Sequence, residues 1–185
     1  MYALLKTKNF YFVIYIFLSI LILINNNLQA DQEFRIISDE FNFDKENDTI
    51  NAEGNVLIIG EKISTKADEI TYIKNEGIIE AAGDIVLNDE FGNNYFLDEM
   101  IMKDDFSFLS AEKVKIRLKD QSRMVGNKII KKDELNIMSN IEYTPCLKEN
   151  YLIKNCPGWK LKANKAYHNL ETKTVHYDHA RLHIF

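Results

Sequence analysis

The protein has 185 residues, with 23 Lys and Arg, 28 Asp and Glu, and a formal net charge of −5 at pH 7. This acidic balance argues against DNA or RNA as a partner, because the phosphate backbone repels an acidic domain. The chain has only two cysteines, which excludes a disulfide scaffold and a cysteine-based metal site.

The first 30 residues have the order of a secretory signal peptide. Two lysines precede an uncharged apolar run at residues 10–24, and the small residue Ala30 precedes Asp31. The run is shorter than the roughly 20 residues that a membrane-spanning helix needs. We therefore predict a signal peptide over residues 1–30, cleaved between Ala30 and Asp31, and an exported mature chain. An uncleaved membrane anchor is the alternative.

Three segments of the mature chain resemble one another: residues 39–58, 68–87 and 98–116. Each begins with an Asp-Glu pair, and the pairs are 29 and 30 residues apart. A fixed period in this range indicates stacked supersecondary units, which are either helical or built from strands.

Alternation of apolar and polar residues favours strands. Ile70 and Tyr72 alternate with Glu69 and Thr71, for example, which is the period of a strand with one buried face. Each unit therefore reads as a strand, a tight turn and a second strand. Turn-forming residues separate the paired strands at 45–48, 74–77 and 104–105.

Two glycines, Gly54 and Gly83, occupy matching places within strands and predict bulges. Residues 123–141 predict further short strands. Residues 160–184 restore the unit, with a break at residues 178–179. The sequence thus predicts an all-β protein of repeated antiparallel strand pairs, which leaves a β-solenoid, a sandwich and an open rolled sheet as alternatives.

The pattern stops at Phe185 in the middle of a strand. We interpret this end either as part of a longer protein or as an edge that pairs with more sheet.

Motifs for catalysis are missing from the sequence. It has no Gly-rich phosphate loop, no G-x-S-x-G and no H-E-x-x-H, so we expect neither an enzyme nor a cofactor. Asp39, Asp68 and Asp98 recur with the repeat, which favours solvated strand starts over catalytic carboxylates. The four histidines are interpreted as polar-face residues rather than metal ligands: His168, His176, His179 and His183.

The strongest local signal is the segment from Tyr143 to Trp159. It contains both prolines, the only tryptophan of the chain and both cysteines, Cys146 and Cys156. We interpret it as a rigid loop between strands, with Trp159 covering an edge of the core. Export predicts that both cysteines are oxidised, either to each other across the loop or to partners elsewhere.

These residues resemble a known family. Ala-Glu-Gly-Asn-Val at 52–56 and Ala-Gly-Asp-Ile at 82–85 look like the OstA-type domain of the lipopolysaccharide-transport proteins LptA and LptC and of the N-terminus of LptD. Cys-Pro-x-Trp at 156–159, with residues 160–163 and 175–182, is similar to LptD-type assembly proteins, in which it joins the periplasmic domain to an outer-membrane barrel.

The resemblance implies an OstA-like open β-jellyroll at residues 31–145, followed by a segment at 146–185 that leads towards a barrel. Its apolar interior would carry the acyl chains of lipopolysaccharide at the periplasmic face of the outer membrane. Ala52, Ala81 and Ser110 would leave room inside. The expected lipid-binding row is Phe41, Phe43, Ile50, Ala52, Val56, Ile58, Ile70, Tyr72, Ile79, Ala81, Ile85, Leu87, Val114 and Ile116.

The resemblance also implies partners. An LptA-like periplasmic protein would pair with the sheet edge near residues 34–37. An LptE-like lipoprotein would bind a following barrel, and the cysteines would pair with that part of the chain. The alternatives are a free-standing LptA-like bridge across the periplasm, or a structural sheet module that only joins partner proteins.

Overall fold

The computed structural model describes residues 34–145 and 158–184. The predicted signal peptide with its cleavage site after Ala30, and the loop that holds Cys146 and Cys156, lie outside the described residues. These expectations therefore remain predictions. The described residues all belong to one compact unit, Gln32–Phe185, and contain no helical segment with the length and hydropathy that a membrane span requires.

The described chain is all-β and consists of antiparallel strands joined by short turns, which confirms the predicted fold class. In chain order the strands are β1 Arg35–Ile37, β2 Glu40–Asp44, β3 Thr49–Ile59, β4 Ile63–Ile73, β5 Ile78–Asp89, β6 Asn94–Lys103, β7 Phe108–Arg117, β8 Arg123–Lys132, β9 Leu135–Thr144, β10 Trp159–Asn169, β11 Thr174–Asp178 and β12 Arg181–Ile184.

All twelve strands form one sheet in which neighbours in sequence are neighbours in space from β3 to β11. β1 and β2 together pair along β3, and β11 and β12 together pair along β10. A break divides each edge: Asp39 separates β1 from β2, and His179, with a φ of 54°, separates β11 from β12. The break at residues 178–179 was predicted from the sequence.

One face of this sheet forms the core. The central row of that face runs across eight strands and places alanines beside larger side chains, which fill the space that the alanines leave. The row is Ala52, Ile70, Ala81, Met100, Ala111, Ile129, Met138 and Ala166.

The sheet covers its own core by folding back on itself. Gly60 lies at one end of the strands and Phe106 at the opposite end, yet a Cβ on Gly60 would meet the Phe106 ring. The Phe34 ring likewise contacts the rings of Tyr72 and Phe106, with centroids 5.2 and 6.4 Å away. The sheet is therefore folded across its strands, so that its two half-sheets, one formed by each end of the strands, face each other. This aromatic cluster closes the part of the interior that the N-terminal strands form.

The strands bend at their middle, where the alternation of inward and outward residues changes phase. In β4, for example, Ala67 and Ile70 are both buried, whereas Asp68 and Glu69 between them are both exposed. The register shifts at the predicted bulge positions in β3 and β5, and Gly54 and Gly83 have φ values of 74° and 76°. The predicted bulges are confirmed, and they mark the line along which the sheet folds.

The recurring aspartates belong to these bends. Asp68 and Asp98 are exposed, as expected, but they lie in the middle of β4 and β6 rather than at strand starts. Asp39 accepts a hydrogen bond from the Asn55 side chain at 2.7 Å, and its backbone N–H donates to the Gly54 carbonyl. The Asp39 carboxylate therefore packs beside the bulge at Gly54 in β3.

Two further expectations were wrong in register or length. Ser110 lies on the outer face beside the exposed Ile101, and Ala111 occupies the inward place. The reason is the phase change within β7, which the repeat alignment did not include. β8 and β9 are ten-residue strands rather than short ones, because the turn between them takes only residues 133–134.

Candidate functional site: a cavity between the half-sheets

A cavity of about 420 Å³ lies between the two half-sheets. Residues from both ends of the strands line it, which follows from the fold-back of the sheet. Its apolar lining consists of Ile63, Leu87, Phe91, Tyr95, Leu97, Met102, Phe106, Phe108, Leu109, Ile116, Leu118, Met124, Ile129, Met138, Ala166, Leu170 and Val175, and its polar lining of Lys62, Asp89, Glu90, Asn93, Lys131, Asn136, His168 and Lys173.

One carboxylate of the lining is fully engaged by the protein. Asp89 accepts hydrogen bonds from the backbone N–H groups of Phe91 and Asn93, from the Asn93 amide and from the Tyr95 hydroxyl, at 2.8 to 3.0 Å. Burial, together with the negative charge of Asp89, raises the pKa of Tyr95 far above its usual value. Tyr95 therefore remains a neutral hydrogen-bond donor, and Asp89 fixes this turn rather than offering a free anion.

The lining includes polar side chains on the inner face of the C-terminal strands. Lys131, Asn136 and His168 are partners in register on β8, β9 and β10. Burial lowers the pKa of His168, so its imidazole is neutral at pH 7. The expectation of a polar outer face is wrong for His168, whereas His176 and His179 are exposed.

The predicted lipid-binding row is on the inner face, but it is not all at the cavity. Leu87 and Ile116 line the cavity. Phe41 and Phe43 are 58 % and 42 % exposed because β2 is an edge strand, and Ile50 and Tyr72 are half-buried. The other eight members are buried: Ala52, Val56, Ile58, Ile70, Ile79, Ala81, Ile85 and Val114.

Sequence reasoning missed most of the lining, above all the residues of β6, β8 and β9. Lys131 follows Ile129 at the strand period and therefore shares its face. The same period places Asn136 on the face of Met138. Extending the alternation of β8 forwards to Lys131, and that of β9 backwards to Asn136, would have found both residues.

A second, shallower depression of about 280 Å³ lies on the outer face of β4, β5 and β6, where Glu69, Glu80 and Glu99 surround the small Ala82. Within the described part of the chain, no group of three or more His, Cys, Asp or Glu residues has the geometry of a metal site.

Side-chain contacts join the end of β9 to the start of β10, on either side of residues 146–157, which lie outside the described residues. The Tyr143 and Trp159 rings lie 5.8 Å apart, so Trp159 packs at the end of the sheet. On the opposite face, Glu142 binds Lys160 at 3.0 Å and Lys162 at 2.9 Å.

Comparison with known proteins gives little beyond this geometry. No family model matches the sequence, and no curated protein matches it. Among solved structures, the chain is similar to LptH of Pseudomonas aeruginosa, described as the LptA homologous periplasmic component of the conserved lipopolysaccharide transport device. The TM-score is 0.33 and the identity 10 %, over 83 % of this chain and 96 % of that chain. A likeness at this level does not assign a function.

Proposed function

We propose that this protein binds lipopolysaccharide in the periplasm and passes it towards the outer-membrane surface. The observation that carries the proposal is the apolar cavity of about 420 Å³ inside a single folded sheet. Its size falls within the range of pockets that bind small molecules, and each buried methylene of an acyl chain contributes about 0.8 kcal/mol. The proposed role is binding and transfer, not catalysis.

The sequence resemblance supports the lipid class. The repeated segments at 52–56 and 82–85 look like OstA-type domains, and their glycines form the bends that let the sheet enclose a cavity. The similarity at 156–159 favours the N-terminal part of an LptD-type assembly protein, located at the outer membrane and working with an LptE-like lipoprotein. A free-standing LptA-like bridge is the alternative within the same class.

Lipid contact is proposed to begin at Leu87 and Ile116, the members of the predicted row that line the cavity. The buried members, such as Ile58 and Ile79, are fully packed. Acyl chains would reach them only if the half-sheets separate.

A structural sheet module is the second candidate, and the closely packed N-terminal half favours it. Such a module would need its edges but not its interior. The two readings therefore differ in whether lipid enters the cavity.

The test is photo-crosslinking from two neighbouring positions of β8. Met124 lines the cavity, whereas Val125 points outwards and is 44 % exposed. With a photoreactive residue at each position and purified lipopolysaccharide added, we expect an adduct at Met124 and none at Val125. Equal labelling at both positions, or no adduct at Met124, would favour the structural module.

A further inference from the structure

A polar row crosses the apolar interior at one end of the cavity. Lys131 on β8, Asn136 on β9 and His168 on β10 are direct partners in register. Each follows or precedes a buried apolar residue by two positions, so all three side chains lie on the inner face. Partners on adjacent strands have Cβ atoms about 5 Å apart, so the row spans about 10 Å.

The protein leaves these polar groups incompletely partnered. The Asn136 Oδ1 atom is buried and has no hydrogen-bond partner. None of the ion pairs found among residues 34–145 and 158–184 includes Lys131, although its side chain is half-buried. A buried carbonyl without a donor is costly, which indicates that another group completes the hydrogen bonding of Asn136, beside the half-buried Lys131.

The surrounding charges favour an anion. Lys62 and Lys173 also line the cavity, with their side chains exposed at its rim. Its carboxylates do not serve the row: Asp89 is occupied by four hydrogen bonds within its own turn, and Glu90 is exposed in the same turn. A ligand that meets the row must therefore present an anionic oxygen to Lys131 and a hydroxyl or amide hydrogen to Asn136.

We propose that the row of Lys131, Asn136 and His168 binds the anionic, hydrogen-bond-donating head group of an amphiphile whose hydrocarbon chain occupies the apolar part of the cavity. The proposal rests on the proposed function, since it needs a cavity that holds the hydrocarbon chain of a lipid. It adds that the site selects for head-group charge and that Lys131 determines this preference.

The test compares three probes on the mature full-length chain: dodecyl phosphate, the uncharged dodecyl glucoside and inorganic phosphate. Calorimetric titration below the micelle concentration should show dodecyl phosphate binding at least tenfold more tightly than either of the other two. Lys131→Met should remove that preference and leave the binding of dodecyl glucoside unchanged. Lys132→Met is the matched control, because Lys132 is exposed on the outer face, and it should change neither affinity.

Folding of the variant is checked separately. Replacing an unpaired half-buried cation by an apolar side chain of similar length should keep or raise the Tm without ligand. Asn136→Ala is a second variant and should weaken dodecyl phosphate binding in the same direction.

The outcomes separate the two proposals. If neither amphiphile binds, the proposed function and this inference both fail. If both amphiphiles bind equally, or if Lys131→Met keeps the preference, lipid binding stands and the polar row is not the head-group site. If inorganic phosphate binds as tightly as dodecyl phosphate, the row is an anion site without an amphiphile and the inference is overturned.

Discussion

Gly83 shows how one residue type permits the bend of a strand. Its φ of 76° lies in the left-handed region, and an added Cβ would meet the side chain of Asp68 on the neighbouring strand. A non-glycine residue in this conformation costs about 1–2 kcal/mol before any clash is counted. Two independent effects therefore keep this position free of a side chain.

We predict that Gly83→Ala lowers the free energy of unfolding by more than about 2 kcal/mol, through left-handed strain and the clash with Asp68 together. Gly92→Ala is the matched control, since Gly92 has a φ of 86° but its nearest neighbour would be 3.6 Å away. Urea unfolding should show the larger loss for Gly83→Ala. Equal losses would mean that the contact with Asp68 does not constrain the bend.

Glu142 on β9 forms ion pairs with Lys160 and Lys162 on β10, next to the residues that lie outside the described chain. Burial alone would raise the pKa of Glu142, but hydrogen bonds from Lys162 and Lys160 outweigh that effect, and its pKa is lowered. A depressed carboxyl pKa adds stability above the unfolded pKa, which is lost as the pH falls through the folded value.

Glu142→Gln should therefore destabilise the protein at pH 7 by less than about 1 kcal/mol, since solvent screens these partly exposed pairs. The difference from the parent should shrink as the pH falls below about 4, where the parent carboxyl is itself protonated. Thermal unfolding from pH 3 to 7 measures this. A constant difference across that range would contradict the assigned ion pairs.

At the scale of the elements, the two edges of the sheet are where backbone N–H and C=O groups lack a neighbouring strand. β1 and β2 form one edge of the sheet and β11 and β12 the other, and edge strands offer free backbone groups to an added strand. Exposed apolar side chains accompany both edges: Phe41 and Phe43 at the first, Leu182 and Ile184 at the second.

We predict that the first edge pairs with another OstA-type domain by strand addition. A photoreactive residue placed at successive positions from 34 to 43 should trap an LptA-like periplasmic partner, most strongly near Phe41. The same residue at Val125, on a strand that is paired on both sides, should give no adduct. Absence of an adduct along the whole of 34–43 would remove this docking edge.

At the scale of the whole molecule, the charge of the outward residues at the strand bends changes along the sheet. The paired outward residues are acidic in β4 and β6, at Asp68 and Glu69 and at Asp98 and Glu99, whereas Lys113, Lys128 and Lys165 take similar places in later strands. The outward residues at the bends are therefore acidic in β4 and β6 and include a lysine in β7, β8 and β10.

Export is the whole-molecule prediction that the sequence makes by itself. N-terminal sequencing of the exported protein should begin at Asp31, because Ala30 provides the small residue at the cleavage position. Ala30→Arg should leave an uncut chain. Recovery of the parent with Met1 retained would contradict the cleavage and favour a membrane anchor.

The sequence by itself determined most of the strands and turns and two of the bulges. Period-two alternation is a local property, so Ile70 and Tyr72 could be assigned to one face without knowing the fold, and the repeat located Gly54 and Gly83 as bulges. The break at residues 178–179 was also readable locally. For the same reason, the predicted inner row lies on the inner face of the sheet.

Only the tertiary structure decided where that face is packed and where it is open. Phe34 and Phe106 are 72 positions apart in the chain, and their contact closes the N-terminal half of the interior. This contact displaces the cavity towards β6–β11, so that Lys131, Asn136 and His168 all line it. The side-chain period assigns residues to faces, but the way a bent sheet folds over itself depends on contacts between opposite ends of its strands.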